Sequence, residues 1–321
     1  MTVPSPSDAS PAIVIAMGGN SLLDPALPPT IDNQFAVTQR AVEPIAELMA
    51  AGYRFVLTHG NGPQVGWMLL RSELSRSQLH EVPLDSLVAS SQGGIGYMLQ
   101  RLLKDELTKR GVHAPLATVM TEVEVDPADP AFAKPTKPVG MFYSAEEAEK
   151  RRRENGWAVA EDAKRGWRRV VPSPLPKAIV ELDVIRMLIS AGATVISCGG
   201  GGVPVMRNQA GLLSGLEAVI DKDRTSALLA VDLGAERLII TTGTDKVYRD
   251  YMKGTPTPID VATASELRAL LAEGQFPAGS MGPKIDAALY FLDHGGQSVT
   301  ICRPEDLVAA IDGRAGTLIV K

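Results

Sequence analysis

The apolar residues of this chain fall into short runs that predict buried strands, and three of these runs end in glycines. Residues 12–17 are rich in β-branched side chains and stop at Gly18 and Gly19, and the arrangement recurs at 55–63 and 194–204. A strand that ends in glycines leaves backbone N–H groups uncovered, so an anion can bind there without a side chain in the way. Parallel strands present their carboxyl ends along one sheet edge, where α/β proteins bind ligands. The pattern therefore predicts an α/β protein that handles phosphate.

Helical periodicity links these strands. Apolar residues from Ala41 to Met49 form one stripe of a helix, and a second strand follows at 55–58. A strand, a helix and a strand in this order form a right-handed parallel unit. The pattern predicts further helices over about 84–110 and 179–189 and after Lys222 and Pro283, and further strands at 194–197, 218–220, 237–242, 298–302 and 317–321. We therefore predict a three-layer α/β/α sandwich with a mainly parallel open sheet.

One segment interrupts the alternation of strands and helices. Residues from about 121 to 173 contain four prolines in short order and then dense charge with two tryptophans. Such a stretch does not extend a buried sheet, so it is predicted to be an inserted, protruding subdomain or lid. We accordingly expect an N-terminal lobe over 1–212, which carries this insertion and binds the phosphoryl acceptor, and a C-terminal nucleotide-binding lobe over 213–321.

The amino-acid composition restricts the class of protein, its partners and its cellular location. The 321 residues are 45% hydrophobic but only 5% aromatic, which is typical of aliphatic α/β sheets, and the net charge of −5 gives no reason to expect nucleic acid or a membrane surface as partner. No apolar stretch approaches the roughly 20 residues of a membrane span. Two cysteines cannot form a disulfide framework, and the first eleven residues read as a frayed tail without signal-peptide features. A cytoplasmic location is expected.

Two lysines occupy positions that suggest phosphate binding. Lys222 lies between Asp221 and Asp223 after a predicted strand, and Lys284 lies in the first turn of a predicted helix, whose N-terminus attracts anions. Taken singly, each lysine could be an ordinary surface residue, and each glycine turn could serve chain reversal alone. Three turns together with these lysines favour a phosphate site.

Several familiar sites are missing from the sequence. There is no GxxxxGK[ST] segment, no protein-kinase motif set, and no His or Cys cluster with metal-ligand spacing. The basic run at 150–153 has acidic neighbours, which favours a solvated helical face over nucleic-acid binding. Any phosphoryl transfer must therefore use a different architecture.

The sequence from about Ile13 to Val320 resembles the amino acid kinase family, and within it the carbamate kinase branch. The resemblance rests on AMGGNSLL, THGNGPQVG, PLDSLVASSQGGIGYMLQ, VDPADPAFAKPTKPVG, GWRRVVPSPLP, ISCGGGGVPV, EAVIDKD and GSMGPK, in the order of the family. It implies phosphoryl transfer between carbamoyl phosphate and ADP, giving ATP and carbamate, with Mg²⁺ accompanying the nucleotide. It also implies a homodimer.

The same resemblance assigns residues to roles. Asp221 would orient the lysines, and Lys137 of the insertion would supply a third cation, because Ala16 stands where other amino acid kinases tend to have lysine. The implied catalytic residues are Lys137, Lys222, Lys284 and Asp221; the implied substrate contacts are Gly18, Gly19, Asn20, Gly60, Asn61, Gly62, Gly200 and Gly201; the implied nucleotide contacts are Lys222, Asp245, Tyr248, Met281, Gly282, Pro283 and Lys284.

The chain also departs from the family pattern. The segment DPALPPT at 24–30 replaces a basic, glycine-containing one, Glu122 replaces a common glutamine, and Gly243 stands where aspartate is frequent. These differences leave acceptor access and the adenine surroundings open. Two alternatives therefore remain at this point: another acyl-phosphate-forming amino acid kinase, such as an acetylglutamate kinase, and a nucleotide-binding regulator that has lost turnover.

Overall fold

The computed structural model describes residues 13–162, 165–277 and 279–321, so the predicted N-terminal tail lies outside the described residues. The strands are β1 Ile13–Met17, β2 Phe55–His59, β3 Leu116–Thr118, β4 Glu122–Val125, β5 Lys137–Tyr143, β6 Val159–Glu161, β7 Trp167–Val171, β8 Pro176–Ile179, β9 Thr194–Ile196, β10 Val203–Arg207, β11 Leu213–Gly215, β12 Arg237–Thr241, β13 Val247–Arg249, β14 Thr257–Ile259, β15 Val261–Thr263, β16 Ser298–Cys302 and β17 Thr317–Val320. The α-helices are α1 Ile31–Ala50, α2 Gly62–Leu74, α3 Leu84–Lys109, α4 Pro130–Ala133, α5 Ala145–Asn155, α6 Leu182–Ser190, α7 Lys222–Asp232, α8 Ala264–Ala272, α9 Met281–Asp293 and α10 Leu307–Ile311.

A central sheet connects the two ends of the chain. Its described strands run in the order β15-β17-β16-β12-β1-β2-β9-β3, and every pairing among them is parallel except that of β16 with β17. Strand β1 lies at the middle, where Val14 is paired with Leu238 of β12 and with Val56 of β2. Strands from both predicted lobes thus share one sheet.

Helices cover both faces of this sheet because the strands alternate their side chains between two apolar layers. Val14 and Ala16 of β1 pack into a cluster with residues of α7, α8 and α9. Ile15 and Met17 point the other way, into a cluster with residues of α1, α3 and α10. Together the two layers bury β1 from Val14 to Met17, as expected for a central parallel strand. The predicted three-layer α/β/α fold is confirmed.

Residues predicted to form the insertion are divided between two smaller sheets. Strands β5, β7 and β6 form an antiparallel sheet, which we call the outer sheet, and helix α5 accompanies it. Strand β4 instead pairs with β10 and β8 in a four-stranded sheet. The outer sheet packs on α2, where a Cβ built on Gly66 would lie 3.4 Å from the Cα of Gly140. Small residues at this contact let β5 approach α2 closely.

Two local predictions were wrong. Ile179 was assigned to a helix but ends β8, because its side chain is buried where β8 pairs with Val123 of β4, and the helix begins only at Leu182. Residues 218–220 were assigned to a strand but form an irregular segment before α7. Their apolar side chains fill the core without joining a ladder, which periodicity alone does not distinguish from a strand.

Candidate phosphoryl-transfer site

The three glycine turns meet at the carboxyl edge of β1, β2 and β9, which are neighbours in the sheet. The backbone N–H of Gly60 donates to Met17 O at 3.1 Å, and a Cβ built on Gly60 would lie 3.8 Å from the nitrogen of Gly19. A Cβ built on Gly200 would lie only 2.0 Å from Asn61 Nδ2. The structure therefore brings the first, second and third turns side by side.

Glycine is required at two of these positions for different reasons. Gly200 has φ of +69°, where side chains are strained, and also faces Asn61. Gly18 lies in an extended conformation, but a Cβ on it would be 2.4 Å from Thr241 O, and its N–H donates to Thr241 Oγ1 at 3.1 Å. The turns are thus packed tightly on each other, with Asn20 in the short 3₁₀ helix Gly19–Ser21 that follows Gly18.

Lys222 and Lys284 meet on one carboxylate, that of Asp223. Lys222 Nζ lies 2.6 Å from Asp223 Oδ1, and Lys284 Nζ lies 2.8 Å from Asp223 Oδ2. The side chains of Lys222, Lys284 and Asp223 are 12%, 15% and 5% exposed, so all three charges are largely removed from water. We call these three residues the inner cluster. It joins the first turn of α7 to the first turn of α9.

The electrostatics of the inner cluster follow from burial and close charges. Burial opposes ionisation of Asp223, but the two neighbouring ammonium groups outweigh it and hold the pKa of this carboxyl far below its usual range. Burial lowers the pKa of Lys222, and the positive charge of Lys284 lowers it further, while Asp223 opposes both effects. A second anion beside Lys222, such as a phosphoryl group, would favour its charged form.

Lys137 reaches the same region from the outer sheet. Its Nζ donates to Asp221 Oδ2 at 2.9 Å, while Asp221 Oδ1 caps α7 by accepting from the N–H of Asp223 at 3.0 Å. Lys137 begins β5, where it is paired with Val171 of β7. The expectation that Asp221 orients lysines therefore corresponds, in the structure, to its contact with Lys137. Asp223 contacts the other two.

These groups surround a cleft of about 600 Å³. The N-termini of α2, α7 and α9 border it, so three helix dipoles favour an anion there. Arg165 and Arg168 also line the cleft, with their guanidinium groups 5.0 and 5.2 Å from the ring centre of Phe142. Of the predicted site residues, Gly60, Asn61, Gly62, Gly200, Lys137, Asp221, Lys222, Pro283 and Lys284 line the cleft.

A smaller pocket of about 170 Å³ adjoins the cleft and shares Ser280 and Lys284 with it. Tyr248 and Met281 line this pocket with an apolar surface that includes Phe276 and Pro277. The other predicted nucleotide residues lie beside it: Asp245 accepts a hydrogen bond from Tyr248 Oη at 2.9 Å, and Gly282 donates its N–H to Pro277 O at 2.9 Å. Cleft and pocket together form an elongated site with a cationic centre and an apolar end.

Sequence reasoning did not single out Asp223 or Thr241. Asp223 was visible in the DKD tripeptide, but only the fold shows that Lys284, 61 residues later, shares its carboxylate. Thr241 ends β12, and its Oγ1 accepts a hydrogen bond from the N–H of Gly18 on the neighbouring strand. No local sequence pattern predicts this contact. Both residues act through contacts that are distant in sequence.

Two buried reactive side chains lie next to the turns. Burial lowers the pKa of His59 to about 4, while its Nδ1 lies 3.0 Å from Gly60 O. Burial raises the pKa of the Cys198 thiol to about 12. At neutral pH His59 is therefore uncharged and Cys198 is a thiol, which makes both poor candidates for acid–base or nucleophilic chemistry.

Within 13–162, 165–277 and 279–321, no group of three or more His, Cys, Asp or Glu side chains is arranged to hold a metal ion. No helix in the described part of the chain is long and apolar enough to cross a membrane.

Comparison with known proteins decides the family. The model of the amino acid kinase family matches residues 11–303. The chain belongs to this family. Among the relatives of this amino acid kinase, the carbamate kinase of Pyrococcus horikoshii and the carbamate kinase-like protein YahI of Escherichia coli are each 45% identical to it, over 96% of the chain and 98% of the relative. The carbamate kinase of Giardia lamblia bound to AMP-PNP has a TM-score of 0.91 and 40% identity, and the match covers 98% of this chain and 99% of that one.

These comparisons confirm the predicted family and the resemblance to its carbamate kinase branch. The amino acid kinase fold is also confirmed, since the solved structure superposes over nearly its whole length. The roles of individual residues stay predictions.

Proposed function

We propose that this amino acid kinase is a carbamate kinase, which transfers a phosphoryl group reversibly between carbamoyl phosphate and ADP to give ATP and carbamate. The observation that carries the proposal is that Lys137, Lys222 and Lys284 line one cleft together with the second and third glycine turns. Full-length similarity to curated carbamate kinases supports it. The alternative of an acetylglutamate kinase has no comparable support among these relatives.

The cleft suits a phosphoryl group in transit. Such transfer passes through a loose transition state with charge spread over three oxygens, so catalysis depends on positioning and on fixed positive charge. Lys222 and Lys284 would contact the nucleotide phosphates and the moving group, with Asp223 holding both ammonium groups in place. The N–H groups of Gly18, Gly60 and Gly201 already donate to Thr241 Oγ1, Met17 O and Cys198 O. Other backbone N–H groups of the turns at 18–20, 60–62 and 200–201 would donate to the carbamate and phosphoryl oxygens.

The reaction needs no general base. Carbamate is already anionic and can attack phosphorus directly, and the reverse step releases it as an anion. His59 is neutral and buried, and the carboxylates nearest the transfer point are engaged with lysines. The protein would therefore act through electrostatics and alignment.

Lys137 would provide the cation that the first strand lacks. Ala16, at the corresponding place on β1, is buried and carries no charge. Lys137 comes from the outer sheet and lies on the cleft beside Asp221, so it can approach the transferred group from above the turns. A bound phosphoryl group would compete with Asp221 for this ammonium.

The nucleotide would lie along the cleft and the adjoining pocket. Its phosphates would meet Lys222, Lys284 and the N-terminus of α9, and its base would enter the apolar pocket between Tyr248 and Met281. Asp221 and Asp223 already accept hydrogen bonds from lysines. Mg²⁺ would therefore be held mainly by the phosphates and water, and not by protein ligands alone. Bound Mg²⁺ would neutralise phosphate charge, and EDTA should abolish turnover.

We infer that the enzyme acts as a homodimer. Strand β3 is an edge of the central sheet, next to β9. Exposed apolar side chains lie on Met120, just after β3, on Tyr97 of α3, which contacts β3, and on Val184 and Met187 of α6, which contacts β9. A second copy would cover them. Sedimentation should give a dimer, and Met187→Glu should shift it towards monomer. Two buried thiols outside any disulfide fit a cytoplasmic location.

The decisive experiment measures ATP formation from ADP with carbamoyl phosphate, acetyl phosphate or N-acetylglutamyl phosphate in parallel. We expect rapid ATP formation with carbamoyl phosphate, and its loss in Lys284→Met but not in Lys104→Met, an exposed lysine on α3 outside the cleft. Preference for N-acetylglutamyl phosphate would support the other kinase. ATP from none of the three would support a regulator without turnover.

A further inference from the structure

A second cavity lies at the same edge of the central sheet, away from the cleft. It has a volume of about 500 Å³. Its walls come from three loops that follow strands β1, β12 and β16, together with one side of α1. We call it the α1 cavity; its lining residues include Leu23, Asp24, Arg40, Thr242, Arg303 and Glu305. Ligands of open α/β sheets bind outside the carboxyl ends of the strands, and this cavity has that position.

The α1 cavity carries charges of both signs. Arg40 and Arg303 contribute two guanidinium groups, and Asp24 and Glu305 contribute two carboxylates. Arg303 directs Nε to Asp306 at 2.9 Å and to Glu305 at 3.5 Å. A guanidinium has five N–H donors in a planar fork that suits a carboxylate, so Arg303 keeps donors beyond this one nitrogen.

The rest of the lining is largely aliphatic. Leu23, Val37 and Ala41 form an apolar wall beside the charged groups, with Pro25 and Pro304. A ligand with only negative groups would meet Asp24 and Glu305, and one with only positive groups would meet the arginines. A small molecule that carries a carboxylate, an ammonium group and a carbon side chain satisfies all three surfaces. That is the chemistry of a free α-amino acid.

The cavity shares a wall with the nucleotide pocket. Thr242 lines both, and the next residues along the chain divide them: Gly243 faces the α1 cavity and Thr244 the pocket. The N–H of Thr242 donates to Cys302 O at 2.8 Å, which fixes this loop to the residue just before Arg303. The DPALPPT segment and Gly243, two of the three departures from the family pattern, both contribute to this cavity.

We propose that the α1 cavity binds a free α-amino acid, whose carboxylate contacts Arg40 and Arg303 and whose ammonium group contacts Asp24 or Glu305. Through Thr242, this binding changes the affinity of the adjacent pocket for the nucleotide. Binding of the amino acid is independent of the reaction catalysed, because it concerns a separate site, whereas its effect on ADP affinity rests on the proposed nucleotide pocket.

Binding is tested on the full chain by calorimetry and thermal shift, without substrates. The probes are L-leucine, L-glutamate and L-lysine, with 4-methylpentanoate and 3-methylbutylamine as leucine analogues that lack the ammonium and the carboxylate. We expect at least one amino acid to bind at millimolar concentration or below. If leucine is that amino acid, both analogues should bind at least about tenfold more weakly. Equal binding of 4-methylpentanoate, or no binding by any amino acid, overturns the proposal.

The site is located with matched variants. Arg40→Gln should weaken the bound amino acid at least about tenfold, because one charge-assisted contact is lost. Arg268→Gln, an exposed arginine on α8 outside the cavity, should leave affinity unchanged. The amino acid should also change the affinity for ADP measured by calorimetry at least twofold in the parent and not in Arg40→Gln. Unchanged affinity in Arg40→Gln refutes the assignment of this cavity.

Discussion

The inner cluster and the Lys137–Asp221 pair use the same chemistry in two different environments. In the inner cluster, Asp223 holds two lysines between α7 and α9, and its side chain is 5% exposed. In the other pair, Lys137 of the outer sheet meets Asp221, and their side chains are 36% and 16% exposed. One arrangement is enclosed by the main body, whereas the other joins the outer sheet to α7 in partial contact with water.

The difference in exposure predicts how easily each ion pair can be broken. A buried ion is costly unless it is paired, so removal of one partner from an enclosed cluster is strongly destabilising. A partly exposed pair contributes little to stability because water screens it. We therefore expect the lysines of the inner cluster to stay in fixed positions before the substrate binds. Lys137 should be able to leave Asp221 and contact a phosphoryl group at a small cost in free energy.

The largest expected effect is that of Asp223→Asn, which leaves two ammonium groups without their shared carboxylate. We expect the free energy of unfolding in urea to fall by about 3 kcal/mol and turnover to fall by about 10³-fold. Asp286→Asn is the control, because Asp286 forms an exposed pair with Arg224 at 3.2 Å. It should cost less than about 1 kcal/mol. Equal losses in the two variants would contradict the contrast between enclosed and exposed charge.

Lys137→Ala should separate rate from stability. We expect kcat to fall by about 10²-fold, since one cation that faces the transition state is lost. Affinity for ADP should change little, because Lys137 lies outside the nucleotide pocket, and the free energy of unfolding should change by less than about 1 kcal/mol. Lys134→Ala, an exposed neighbour, should keep full turnover. Unchanged kcat in Lys137→Ala would remove the outer sheet from the mechanism.

The stability of the protein should also depend on pH because His59 is buried. Burial lowers its pKa from 6.5 to about 4, so between these values the unfolded chain binds a proton that the folded chain does not. Stability is therefore full above pH 6.5 and falls as the pH drops towards 4, by up to about 3 kcal/mol. Urea unfolding at pH 7 and 5 should show this slope, which His59→Gln should flatten and His80→Gln, at an exposed position, should not.

The smallest effect concerns the attachment of the outer sheet to α2. Tyr143 Oη of β5 donates to the carboxylate of Glu73 at 3.2 Å, and burial raises the pKa of this carboxyl. Tyr143→Phe should lower the free energy of unfolding by about 1 kcal/mol, because Glu73 loses a donor. Turnover should fall less than in Lys137→Ala. A larger loss of turnover would mean that this attachment, and not the lysine charge, limits the reaction.

Several features were predictable because they depend on neighbours in sequence. The glycine turns after β1, β2 and β9 follow from apolar runs that stop at glycine, and the burial of β1 follows from its apolar residues, which are rich in β-branched side chains. Lys222 and Lys284 were identifiable from their places near helix N-termini. In contrast, residues 218–220 were assigned to a strand, since a buried irregular segment has the same apolar composition.

The sequence by itself determined the family, the sandwich architecture and the candidate cations, because periodicity, glycine positions and long family motifs are local properties of the chain. Only the tertiary structure decided which carboxylate each cation meets. Asp221 and Asp223 are two residues apart, yet one contacts Lys137 and the other contacts Lys222 and Lys284. The choice depends on how α7 faces α9 and the outer sheet, and that geometry is set by packing between segments far apart in the chain.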